Sequence, residues 1–169
     1  FDPWSGYYDA DGGLQMVGHF MEFADLGWNY LPDACYGDGS YSDGGVLADT
    51  GTNNYLTLKD PDTDDYSMIF ANNTSQTRKY KVTVKNLKKA SSPLNVWETR
   101  GPDEGQEYDS NWMQMVDSFT PNKESYGVYS FTLTVKPYSI KTVTSLLDRG
   151  QEYSPGQNDP NVDRDVLAL

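Results

Sequence analysis

The feature that most constrains this chain is a succession of short apolar-alternating or β-rich runs, each closed by Asp, Asn, Gly, Ser or Pro. Such runs fall at 28–31, 45–48, 54–59, 66–71, 79–86, 95–99, 113–119, 128–136 and 140–146. In an extended chain successive side chains point to opposite faces. Tyr80, Val82 and Val84 therefore share one face, as do Tyr129, Phe131, Leu133 and Val135, while Lys79, Lys81, Thr83, Lys85, Thr132, Thr134 and Lys136 point the other way. The stripes read as core, and the turn-rich breaks read as hairpin and crossover loops. The pattern predicts a mainly β fold, an antiparallel β-sandwich of about eight strands.

One stretch has a different period. Leu14, Val17, Phe20, Met21 and Ala24 recur at three- and four-residue spacing, which predicts an amphipathic helix over 11–25, with Asp11 to cap it and Gly27 to close it. From Gln151 the sequence turns polar, with Pro155 and Pro160, and reads as a linker or extended tail. A chain of 169 residues can bury one sizeable core, so one main domain with tails is expected.

A net charge of -12 and a pI of about 4.3 oppose binding to nucleic acid or to an anionic membrane surface, and leave neutral partners such as sugars open. No run approaches the roughly 18 apolar residues of a membrane span, and no basic-then-apolar leader is present. The start at Phe1 suggests trimming or processing. The lone Cys35 excludes an internal disulfide and a cysteine-based metal site, and reads as a buried or unpaired thiol. Overlapping sequons at Asn72 and Asn73 fit a secreted or extracellular protein, a lysosome-like compartment included.

Glycoside hydrolysis with retention needs two carboxyl groups about 5 to 5.5 Å apart on a rigid frame. Glu22, Glu98, Glu104, Glu107, Glu124 and Glu152 are scattered over a helix, a strand end and loops, and each reads as solvated surface. His19 is the single imidazole; beside apolar helix residues it reads as a packing or hydrogen-bonding group. Asp60, Asp62, Asp64 and Asp65 bring together the oxygen ligands that calcium favours, but lack the turn Gly and distal Glu of an EF-hand, so a solvated hairpin turn is expected. The opening Phe1-Asp-Pro-Trp-Ser-Gly-Tyr-Tyr8 concentrates aromatic rings that suit either sugar faces or a core.

Pro3-Trp-Ser-Gly-Tyr-Tyr8, His19 and Phe23, and Gly27-Trp-Asn-Tyr-Leu31 resemble the segment that closes the catalytic barrel of galactocerebrosidase-like glycoside hydrolases, family 59. The resemblance continues through Gly39-Ser-Tyr41, Tyr55-Leu-Thr-Leu58, Val96-Trp97, Phe131-Thr-Leu133 and the stretch from Ser145 to Pro155. Gly18-His-Phe20 with Phe23 is also similar to family 30, the glucosylceramidase and xylanase group. The resemblance implies that 1–26 is the end of a (β/α)8 barrel, 27–150 a β-sandwich and 151–169 a linker toward a further domain. It implies a β-galactoside glycan as partner, an N-terminal barrel segment carrying the catalytic Glu pair, and no cofactor or metal. Trp4, Ser5 and Tyr7 are then the substrate-binding residues, joined by an Arg of the sandwich for which Arg78 is the nearest candidate.

Three readings follow. The chain is the C-terminal portion of a retaining galactosidase or galactanase, inactive by itself. Alternatively it is a stand-alone carbohydrate-binding module with a platform drawn from Trp28, Trp97, Trp112 and Tyr108. The third is a sandwich that only stabilises its barrel.

Overall fold

The computed structural model describes residues 12–34 and 54–149. Trp4, Ser5, Tyr7, Cys35, the run at 45–48 and the tail from 151 lie outside those residues. The order is α1 (Gly12–Met21), β1 (Asn29–Tyr30), a 3-10 turn (Pro32–Ala34), β2 (Asn54–Lys59), β3 (Tyr66–Asn72), β4 (Arg78–Lys85) and β5 (Leu94–Arg100), followed by β6 (Gln114–Phe119), β7 (Asn122–Ser125), β8 (Val128–Val135) and β9 (Ser139–Thr144). One sheet runs β1-β2-β3-β9-β5-β6 and the other β4-β8-β7, with every pairing antiparallel. The expected sandwich preceded by a helix is present.

The main core lies between the sheets. Tyr66, Met68 and Phe70 of β3, Leu94 and Val96 of β5 and Val143 of β9 meet Val84 of β4 and Phe131, Leu133 and Val135 of β8. Each large side chain buried there contributes about 1.5–3 kcal/mol before entropy. The alternation read in 79–85 and 129–135 matches the fold, because the small sheet buries one face. By contrast β3, β5 and β9 are buried along nearly their whole length. Their second face lies away from the small sheet, and α1 packs on that face of β5 and β9.

The helix differs from expectation in two ways. It ends at Met21, and Gly27, at φ 96°, belongs instead to a tight turn in which Trp28 N donates to Asp25 O at 3.2 Å. Arg149 ties that turn to the end of the sandwich through both oxygens of Asp25. The apolar stripe also faces outward: Leu14, Val17, Phe20 and Met21 are 59%, 50%, 42% and 72% exposed. The inward face carries His19 and Phe23, with Gly12 against Trp112 and Gly18 against Met113.

Strand β7 was not legible in the sequence. Asn122–Ser125 is exposed throughout and has no apolar alternation; it exists as an edge paired to β8 across a turn that Gly127 closes at φ 69°.

Candidate functional site

The junction of α1 with the large sheet is the most organised polar site among the described residues. Trp97 and Thr99 of β5 share a face with Thr142 of β9, since Trp97 and Thr142 are register partners. His19 lies between the threonines, Nδ1 at 2.8 Å from Thr142 Oγ1 and Nε2 at 2.8 Å from Thr99 Oγ1. Thr99 Oγ1 also accepts from Met113 N–H at 2.9 Å. The Phe23 ring is tilted against the imidazole, centres 6.2 Å apart, and lies 5.5 Å from the Trp97 ring. Burial pushes the His19 pKa down to about 4, so the ring is neutral at pH 7. A neutral imidazole has one donor and one acceptor nitrogen, and two hydroxyls satisfy both. Fully buried and saturated, His19 is a structural keystone, as its place beside apolar residues suggested.

Glu98 overturns the solvated-surface reading. It is 3% exposed, with Arg100 Nε at 3.0 Å and Lys136 Nζ at 3.8 Å from Oε1, and Lys141 Nζ at 3.1 Å from Oε2. The Oε2 contact is an ion pair only, as no hydrogen bond is aimed at that oxygen. Glu98 and Lys141 are register partners on β5 and β9, which places opposite charges face to face. Ringed by three cations, this carboxylate holds strands together and lacks the geometry of a glycosidic acid.

The acidic turn is the β2–β3 hairpin, exposed at 61–63, but Asp64 and Asp65 in it are buried. Asp60 caps the turn by accepting from Asp62 N–H at 2.7 Å. Asp64 is held by Lys59 and Lys88, and Asp65 by Lys89 at 2.5 Å, Ser145 Oγ at 2.8 Å and Thr63 Oγ1 at 2.6 Å. Lys59, Lys88 and Lys89 offset its charge. Bonds from Lys59 and then Lys88 hold the Asp64 carboxyl below its usual range. Burial pushes Asp65 up, but Lys89, Thr63 and Ser145 together outweigh that and hold it low as well. Among the described residues no group of three His, Cys, Asp or Glu side chains is placed to hold a metal.

The remaining sequence candidates separate. Arg78 opens β4, in the sheet away from α1, and its Nε is buried without a hydrogen-bond partner among the described residues. Asn72 is 2% exposed and donates its amide to Gln76 O, Val135 O and Lys136 O. A glycan on that nitrogen would replace one of its two hydrogens and have to fit among the three carbonyls, whereas Asn73 is exposed. Trp97 and Trp112 are 4% and 8% exposed and offer no platform, while Tyr108 is 64% exposed. A cleft of about 480 Å³ between β2 and β4 is lined by Tyr55, Phe70 and Tyr80 among others, with no carboxylate in its wall.

No family model matches the chain, and no curated protein matches it in sequence. The fold is similar to that of a solved GH30 endoxylanase from Clostridium papyrosolvens C71, at a TM-score of 0.51 and 14% identity over 79% of this chain and 27% of that one. The chain thus spans about a quarter of that enzyme's length. A GH51 alpha-L-arabinofuranosidase from Thermotoga petrophila RKU-1 matches at a TM-score of 0.39 and 15% identity, over 56% of this chain and 19% of that one. The endoxylanase likeness carries the fold: a glycoside hydrolase-like helix and sandwich.

Proposed function

We propose that this chain is the C-terminal portion of a retaining glycoside hydrolase acting on β-galactosides, completing its barrel and helping to shape its pocket without supplying the catalytic Glu pair. The observation that carries this is the outward stripe of Leu14, Val17, Phe20 and Met21, roughly half exposed on a helix whose other side already seats on the sandwich. Contiguous exposed apolar surface marks a site that another surface covers. A barrel whose last helix is α1 would cover it, and the partial coverage of the endoxylanase supports the same division. Trp4, Ser5 and Tyr7 precede α1 and would line the sugar pocket at the barrel's C-terminal face. Arg78, at the start of β4, is the sandwich Arg proposed to join them. The sequence resemblance to family 59 supports galactoside over xylan, and a secreted setting accords with the exposed Asn73.

The test is to express residues 1–169 alone and joined to the upstream barrel polypeptide of the same gene, and to assay both on an aryl β-galactoside and an aryl β-xyloside. Hydrolysis of the galactoside by the joined form alone is expected, with Trp4→Ala lowering kcat/KM by about tenfold or more, the scale of one lost aromatic contact. Activity of the isolated chain, a preference for xyloside, or an indifferent Trp4→Ala would overturn the assignment.

A further inference from the structure

Residues 101–113, between β5 and β6, form a connection well beyond the roughly two to five residues of ordinary hairpin loops, and long loops in compact domains are commonly functional. It has no regular secondary structure, yet its backbone is tied down. Arg100, anchored on buried Glu98, grips both oxygens of Asp103 at 2.7 and 2.6 Å. Gln106 Oε1 accepts from Asp103 N–H at 2.9 Å and from Asn111 Nδ2 at 2.7 Å, while Asn111 O accepts from Arg100 N–H at 3.1 Å. The loop is thus fixed before any ligand arrives, which lowers the entropic cost of binding.

At its tip Tyr108 stands edge-to-face on buried Trp112, ring centres 4.9 Å apart, and remains 64% exposed. Trp112 in turn abuts Gly12, where a Cβ would lie 3.7 Å from Cζ2. Trp112 thus links the Tyr108 ring to the first residue of α1. Glu104, Glu107 and Asp109 of the same loop are exposed hydrogen-bond acceptors. An exposed aromatic face in a loop that carries three exposed carboxylates suits a neutral pyranose, which offers C–H patches to the ring, while the same carboxylates repel anionic ligands.

We propose that Tyr108 is a stacking subsite for a hexopyranosyl unit of a neutral β-linked glycan, with Trp112 as its support and Arg100 as the positioning residue of its loop. It rests on the carbohydrate reading above and extends it to a second sugar unit, away from the cleaved bond.

The full chain is titrated with β-galacto-oligosaccharides and, separately, with xylo-oligosaccharides, following saturation transfer from protein to sugar protons by NMR. Weak binding is expected, falling about fivefold to tenfold in Tyr108→Ala, restored in Tyr108→Trp, and unchanged in Tyr126→Ala, which removes a still more exposed ring on the β7–β8 turn. No transfer to either sugar, wild-type binding by Tyr108→Ala, or an equal loss in Tyr126→Ala would overturn the subsite. Preference for xylo-oligosaccharides with the Tyr108 dependence intact would leave the subsite standing and count against the galactoside assignment. Loss of Tyr108 dependence together with galactoside hydrolysis by the joined form would do the reverse.

Discussion

His19 and Thr142 stand 123 residues apart in sequence and meet at 2.8 Å between Nδ1 and Oγ1. With Thr99 on the other nitrogen, this contact pins the helix to two central strands, and it depends on a neutral imidazole. The folded-state pKa of about 4 lies below the ordinary 6.5, so the unfolded chain takes up the proton first. Stability from this group is complete above about pH 6.5 and is lost as pH falls toward 4, by about 3 kcal/mol for a shift of this size. Urea unfolding at pH 7 and pH 4.5 should show that slope in the wild type and its absence in His19→Gln. Equal slopes would remove His19 as the cause.

Glu98→Gln leaves Arg100 and Lys141 facing each other's charge in a half-dry space. Breaking a buried pair by removing one partner costs about 3–5 kcal/mol. Lys136, half exposed at 3.8 Å, matters far less, and Lys136→Ala should cost about 0.5 kcal/mol or less. Chemical denaturation of the two variants side by side checks the contrast.

The acidic turn should ignore calcium and respond to acid. Depressed folded-state pKa values for Asp64 and Asp65 mean that their contribution is present above the ordinary carboxyl range and lost as pH falls below about 4. Calorimetry with millimolar calcium should leave Tm unmoved. A rise in Tm on adding calcium would restore the metal reading.

If α1 is a barrel helix, its outer stripe does no work in the isolated chain. Leu14→Glu with Val17→Lys should then change unfolding free energy by about 0.5 kcal/mol or less, as exposed substitutions do, while reducing binding of a hydrophobic dye. In the barrel-bearing form the same pair should abolish soluble expression or activity. A large loss of stability in the isolated chain would mean that the stripe is already covered there.

Glycosylation should discriminate between adjacent sequons. Secretion from a glycosylating host should place a glycan on Asn73, removed by Asn73→Gln as a mass shift. Asn72→Gln should leave that glycan in place and instead lower Tm, because it disturbs an amide bonded to three carbonyls.

Local period and turn chemistry were enough to determine a sandwich of antiparallel strands, the inward faces of β4 and β8, and the existence of α1. These features depend on neighbours in sequence, and β4 and β8 alternate cleanly because only one of their faces is buried. The buried His19 was legible as well, from a lone imidazole among apolar helix residues. What the residues alone could not reveal was set by partners distant in the chain. Glu98 is buried because Lys141, 43 positions later, is its register partner, and Asp65 because Ser145 and Lys89 converge on it. Edge strand β7 is held by backbone pairing that leaves no apolar trace. The helix face was decided the same way: its apolar stripe looked like the side to bury, but Phe23 against Trp97, and two threonines that satisfy an imidazole, seat the opposite side on the sheet. Hydrophobic period marks which residues want cover, and only close packing and hydrogen-bond complementarity decide what covers them.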